Sequence, residues 1–253
     1  MAGRGRPLPQ VNVTQMSDKQ YLVFVPTYNE AGNVGPLVEH IRALDLDTDI
    51  LFVDDNSPDG TGRILDELAA SDPRIRVIHR EGKLGIGTAH QVGIARAYAD
   101  GYQTLITMDC DFTHPPEDIP RLIEASAGWD LVVASRHLAP GSLDGWQWHR
   151  IFLTKSAYFA SRYLLGMPLD ATGAFRLYRL DRIPQRLFAE VISPSYSFFV
   201  ESLYVLWSHG VRIGQIPVRL PARTQGHSKM RPSDAWQSLK TVLRLAWGRL
   251  LRH

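Results

Sequence analysis

The sequence predicts an α/β protein: a mostly parallel sheet flanked by helices, followed by a C-terminal amphipathic helix. Three observations lead there. Short apolar runs alternate with segments of helical periodicity, the pattern of βαβ units. The runs carry almost no polar residues, as in strands covered on both faces. Polar and glycine-rich stretches follow the runs, where open α/β sheets bind ligands. Apolar residues make up 44% of the 253 residues and charged residues 21%, which excludes a disordered or collagen-like chain.

In order along the chain, residues 1–19 are basic and rich in Gly, Pro and Gln. They lack an apolar core, so they read as a flexible tail and not as a secretory signal. Residues 21–25 form the first apolar run, stopped by Pro26. Val34, Leu37, Val38, Ile41 and Leu44 share helical spacing. Residues 50–53 are a second strand, 61–70 a helix, 75–78 a third strand, 87–100 a helix and 104–108 a fourth strand. Pro115 and Pro116 open a helix that runs to residue 125, and 130–134 are a fifth strand.

Beyond Gly141 the texture changes. Residues 147–165 mix basic and large apolar side chains, and 198–208 read as a buried helix. Residues 211–220 form a strand whose Pro217 assigns it to a sheet edge. Residues 234–251 form the last, basic amphipathic helix. The expected organisation is a tail (1–19), one domain (20–230) with halves at about 20–140 and 141–230, and a terminal helix segment (231–253).

Charge is unevenly divided. Residues 1–149 carry 12 basic and 21 acidic side chains, a net −9; residues 150–253 carry 16 and 5, a net +11. That asymmetry points to an anionic partner for the second half. A single cysteine, Cys110, excludes an internal disulfide and a cysteine-rich zinc site. No run of 18 apolar residues is present, so no spanning helix is expected.

Four polar clusters follow the expected strands. The first holds Pro26, Tyr28 and Glu30: a ring for base stacking and an acceptor for base or ribose. An ordinary loop capped by Asn29 is the plain alternative. The second holds Val53, Asp54 and Asp55, suited to a ribose diol or base N–H groups, with Asp59, Gly60 and Thr61 as turn and cap. The third is Asp109-Cys110-Asp111, with Thr113 and His114 beyond it. Two carboxylates around one residue suit Mg²⁺ or Mn²⁺, which keep waters and add substrate phosphates. The fourth places Arg223 and Lys229 around Gly226, able to clamp a diphosphate. His114 is expected to pack or cap, and Cys110 to matter only through its backbone.

The strings VPTYNE, VDDNSPDGT, MDCDFTHPPE, VASRH and RTQGHSK together resemble the family 2 glycosyltransferases over about residues 20–240. More narrowly they resemble the polyprenyl-phosphate (dolichol-phosphate) mannosyltransferases. The resemblance implies a GT-A fold, in which a Rossmann-like nucleotide-sugar half runs into an acceptor half. It implies nucleoside contacts from Pro26, Tyr28, Glu30, Val53 and Asp55, and metal and diphosphate-sugar contacts from Asp109, Cys110 and Asp111. Arg136 would touch the donor, and Arg223 and Lys229 the diphosphate. Asp109, Asp111, Arg223 and Lys229 would carry the chemistry. Thr113 stands where relatives have Gln, so it is a third metal ligand only in reserve, and SRH replaces SRY.

On the acceptor side, Arg150, Thr154 and Lys155 match the family's lipid-phosphate segment, with Lys155 in place of Arg. A plain amphipathic helix is the alternative. Asp170 and Arg176 belong to a D-x-T-G-x-F-R segment and could instead form a structural ion pair. The last helix, with Trp236 and Trp247 among Lys240, Arg244 and Arg249, either lies in a membrane interface or packs on the core.

The expected activity is therefore inverting transfer of a hexose, mannose from GDP-mannose, to a polyprenyl phosphate. The expected setting is peripheral, on the cytoplasmic face of a membrane. The competing readings are transfer from a UDP-sugar and a non-catalytic, membrane-attached nucleotide binder. Nucleic-acid binding is disfavoured by the acidic clusters.

Overall fold

The computed structural model describes residues 20–143, 148–219 and 232–251. Its centre is a seven-stranded sheet built from β1 (Tyr21–Thr27), β2 (Thr48–Asp54), β3 (Ile75–His79), β4 (Thr104–Thr107), β5 (Leu131–Ser135), β6 (Arg176–Arg179) and β7 (Ile213–Pro217). The strand order is β3-β2-β1-β4-β6-β5-β7. β1 pairs in parallel with both β2 and β4, and β5 with β7. β6 runs antiparallel between β4 and β5.

The order reverses between β1 and β4. After β1 the chain moves outward through β2 and β3, then returns to the other side of β1 as β4. Loops leaving two such strands diverge and open a crevice at their C-terminal ends.

Strand alternation builds two cores. Leu22 and Phe24 of β1 point to one face and Val23 and Val25 to the other, all fully buried. The first face is covered by α3 (Ile86–Ala99), α6 (Ser197–Ser208) and α7 (Pro232–Leu250). The second is covered by α1 (Val34–Arg42), α2 (Thr61–Ser71) and α4 (Ile119–Ala125). α5 (Trp148–Leu164) packs against α7, and the Arg249 guanidinium donates to the Leu164 carbonyl at 3.3 Å.

α7 is tied to the body by a buried carboxylate. Glu201 of α6 accepts from the Ile192 and Ser193 amides at 3.2 and 2.7 Å and from the Arg244 guanidinium. Thr241 and Val242 are buried beside it. The terminal helix therefore packs on the core along one face, while Trp236, Leu239, Leu243, Trp247 and Leu250 stay exposed along another.

Most elements expected from periodicity form within a residue or two; the strand expected over 211–220 is shorter, Ile213–Pro217, and lies at the sheet edge as its Pro217 implied. The antiparallel β6 was not expected. It has four residues and an arginine at each end, so neither length nor polarity marks it. The helix after Pro115 opens with a 3-10 turn at Pro116–Asp118 before α4. Both expected halves feed one sheet, because β6 inserts between β4 and β5.

Candidate active site

The loops after β1 and β2 are stapled together by acids and hydroxyls. Thr27 and Asp54 are register partners, and the Thr27 hydroxyl donates to Asp54 Oδ1 at 3.1 Å. Ser57 donates to the same oxygen at 2.5 Å, and its own Oγ accepts from the Asn29 amide at 2.9 Å. Asp59 accepts from the Thr61 amide and hydroxyl and, across the gap, from the Ala31 amide. Asp54 and Asp59 are thus committed to loop structure. Asn29, at φ 56°, holds a left-handed turn, and Asn33 is the residue that precedes α1, so the capping by Asn29 that the plain-loop alternative supposed does not occur.

Asp55, the residue after Asp54, is held differently, by a residue the sequence reading does not single out. Arg80, just past β3, meets Asp55 with two contacts, Nε to Oδ1 at 2.7 Å and Nη2 to Oδ2 at 3.0 Å. Both side chains are nearly buried. Burial pushes the Asp55 carboxyl above its usual range, the Arg80 charge pulls it back, and neighbouring Asp54 adds to the rise. One hydrogen bond, from Nη2, and the close charge contact at Nε together fix the carboxylate's position.

From the β1 loop, Pro26, Tyr28 and Glu30 are half-buried. Glu30 accepts from Asn33 Nδ2 at 2.6 Å, and its amide donates to Thr61 Oγ1 at 2.9 Å. Lys83 stands 4.5 Å from the Tyr28 ring centroid, so the β3 loop reaches the β1 loop. Val53 is fully buried in the sheet and presents no side chain to the crevice.

On the other side of the switch point, Asp109, Cys110 and Asp111 leave β4. The Asp109 side chain is 28% exposed, while Asp111 is mostly enclosed. Phe112 at φ 58° turns the chain back. The Thr113 amide and hydroxyl donate to Asp111 Oδ1 at 3.1 and 2.6 Å, so Thr113 orients that carboxylate. The Asp109 amide donates to His114 Nδ1 at 2.9 Å, and the His114 ring stacks on Phe175 at 5.3 Å. His114 packs and braces the loop, and Cys110 is buried.

No group of three or more His, Cys, Asp or Glu is placed to hold a metal among the described residues. Asp109 and Asp111 would offer two carboxylates, a set that fits a hard cation completing its shell with water and phosphate oxygens.

Beyond β5, the Arg136 amide and Nε donate to Asp170 Oδ2 at 3.2 and 3.0 Å. Asp170 is fully enclosed. Burial pushes its carboxyl up, but the Arg136 charge and the two hydrogen bonds from Arg136 outweigh that and hold it below the usual range. The structural ion pair expected as the alternative for Asp170 is present. Among the described residues Arg176 forms none: it is fully buried and donates to the Gly173, Ala171 and Phe199 carbonyls at 2.7, 2.9 and 2.9 Å. It bolts α6 to the start of β6.

Thr154 and Lys155 lie on α5, half-buried and exposed respectively. Arg150 is in the same helix, but its side chain lies outside the described residues, as do Arg223 and Lys229 altogether. The structure therefore brings the first three strand-end clusters to one sheet edge.

This sheet order, with an acid-lined switch point, is a GT-A fold. The chain belongs to glycosyl transferase family 2, whose family model matches residues 22–183, and it is a glycosyltransferase. It is 36% identical over 249 residues to a polyprenol monophosphomannose synthase of Mycolicibacterium smegmatis, covering 97% of this chain and 92% of that protein. It is 35% identical over 228 residues to an undecaprenyl-phosphate mannosyltransferase of Micrococcus luteus, covering 90% and 93%. Its structure resembles glucosyl-3-phosphoglycerate synthase from Mycobacterium tuberculosis, solved with Mn²⁺, UDP and phosphoglyceric acid. That match has a TM-score of 0.65 at 20% identity and covers 90% of this chain and 79% of that one.

Proposed function

We propose that this protein transfers mannose from GDP-mannose to a polyprenyl phosphate, with inversion at the anomeric carbon. The observation that carries the reading is the Asp109-Cys110-Asp111 turn directly beyond β4, at the switch point of the sheet. Similarity to two polyprenyl-phosphate mannosyltransferases over most of the chain supports the substrates.

Each residue then has a task. Tyr28, Glu30 and Asp55, with Pro26 and the backbone of Val53, receive the nucleoside, and Arg80 holds Asp55 in place. Asp109 and Asp111 would hold a divalent ion, Mg²⁺ or Mn²⁺, which when bound neutralises the leaving diphosphate. Arg136, Arg223 and Lys229 add positive charge on the donor side. Arg150, Thr154 and Lys155 receive the acceptor phosphate. That phosphate is already an anion, so no protein base need remove a proton. An acceptor oxygen bonds to the anomeric carbon from the face opposite the diphosphate, as the carbon–diphosphate bond breaks and its electron pair leaves with GDP.

The lipid requires a surface. No described helix is long and apolar enough to cross a membrane. Instead α5 and α7 lie side by side and expose Trp148, Phe152, Phe159 and Tyr163 on one and the Trp236–Leu250 stripe on the other. Lys240 borders that stripe and sits 5.5 Å from the Trp236 ring. Aromatic and basic groups together suit the interface of an anionic leaflet, such as the cytoplasmic one.

The test is transfer of label from GDP-mannose or UDP-glucose to polyprenyl phosphate, under each metal. Mannosyl product is expected from GDP-mannose only. Asp109→Asn and Asp111→Asn should each lose at least about 100-fold of metal-dependent transfer. Wild-type rates in either variant, or product from UDP-glucose alone, would sink the assignment.

A further inference from the structure

His137 follows the Arg136–Asp170 pair at the end of β5, and no step above uses it. Its ring stacks on Tyr158 of α5, with centroids 4.3 Å apart and planes 31° from parallel. Its Nε2 lies 3.9 Å from Asp170 Oδ2, and the side chain is 11% exposed. One nearly enclosed ring therefore bridges two structures: the buried ion pair at the donor edge of the sheet, and helix α5.

The place where the ring meets α5 is informative. Thr154 and Lys155 precede Tyr158 by four and three positions, so all three lie on one helical face. Ser161, three positions after Tyr158, is buried on the same stripe. His137 thus abuts the face whose preceding turn carries the proposed acceptor-phosphate groups. Burial holds the imidazole below its usual range, Arg136 and Lys155 press it the same way, and Asp170 opposes them. A neutral ring can stack there without adding a third cation to that corner.

We propose that His137 is a positioning residue for the acceptor: its ring sets α5, and with it Thr154 and Lys155, at a fixed distance from the donor edge. The proposal rests on the lipid-phosphate reading above. A ring that only filled space would affect stability and both substrates together.

The experiment is steady-state kinetics on the full chain with GDP-mannose and polyprenyl phosphate varied in turn, alongside melting temperatures. His137→Ala should raise KM for polyprenyl phosphate about tenfold, while KM for the nucleotide sugar stays within about twofold. His137→Phe and His137→Tyr keep a stacking ring and should recover most of the acceptor KM. Tyr158→Ala should reproduce the His137→Ala effect, and the double variant should be no worse than either single one. Should His137→Ala fail to fold, Tyr158→Ala and Tyr158→Phe provide the same contrast. An unchanged acceptor KM, or equal rises in both KM values, overturns the proposal while leaving the function intact. A wild-type protein that transfers nothing to polyprenyl phosphate overturns the function, and the proposal with it.

Discussion

His90 lies in α3, fully buried, with the rings of Phe24, Phe198 and Phe199 at 5.0, 5.3 and 5.0 Å. Neither ring nitrogen has a hydrogen bond among the described residues. Burial, with the Arg176 charge behind it, pushes the imidazole down to about 3. Protons below pH 6.5 are then taken up by the unfolded chain and not by the folded one. The stabilising effect is complete above about pH 6.5 and declines as pH falls toward 3, by about 1.4 kcal/mol per unit. Between pH 7 and 5 the protein should lose about 2 kcal/mol through this residue alone. His90→Leu should remove that component, so denaturant midpoints at pH 7 and 5 should lie closer together than in the wild type. Equal pH dependence in the two proteins would exclude the idea. The same scale shows what residue types can and cannot announce. Asp109 and Asp111 stand out in the sequence because acids directly after an apolar run have few structural uses. Arg80 does not, since an arginine after a strand is ordinary until its carboxylate partner, 25 residues earlier, is located in space. Asp54 and Asp55 look alike as letters; only the Thr27 and Ser57 hydroxyls on one and the Arg80 ion pair on the other give them different tasks.

At the scale of elements, the parallel strands were legible because burial on both faces leaves an unbroken apolar run. β6 was not, because it is short and its Arg176 is buried through carbonyl contacts made elsewhere in the chain. Helix α3 shows what such packing demands. A Cβ at Gly93 would stand 2.4 Å from Phe24 Cδ2 and 2.5 Å from Cε2. Phe24 is fully buried against His90 and has no open side to move toward. Gly93→Ala should gain up to about 1 kcal/mol in helix propensity. Overpacking a closed core costs about 1–3 kcal/mol. The cost should win, lowering the melting temperature by a few degrees with an unchanged denaturant slope. A variant as stable as the wild type, or more so, would mean that α3 can lift from β1. Gly85 marks the start of the same helix differently. At φ +102° it lies in the left-handed region, and a Cβ there would meet the Pro194 carbonyl oxygen at 2.4 Å. This close approach sets the 193–194 segment, anchored through Glu201, against the helix start beside Arg80.

Across the whole molecule, the charge asymmetry of the sequence acquires a direction. The acidic first half builds the strand-end crevice, and the basic second half supplies α5 and α7, whose exposed rings stand among cations. Apolar and basic groups on one surface are attracted to an anionic bilayer by two separable forces. Burying about 100 Å² from each of Trp236 and Trp247 is worth about 5 kcal/mol together, at about 25 cal/mol per Å². Each nearby Lys or Arg adds about 1 kcal/mol at low salt, fading within a Debye length of about 10 Å at 0.1 M. The protein should therefore co-sediment with vesicles containing anionic lipid and bind neutral vesicles more weakly. Added salt should reduce the first binding toward the second without abolishing it. Replacing Trp236 and Trp247 by Ser should weaken binding to both kinds of vesicle by at least about tenfold, leaving the salt sensitivity in place. The folded body should survive, because both rings are largely exposed and α7 is held by Val242, Thr241 and the Arg244–Glu201 pair on its other face. If the double variant bound vesicles as the wild type does, the stripe would not face lipid, and access to the acceptor would have to come from another surface.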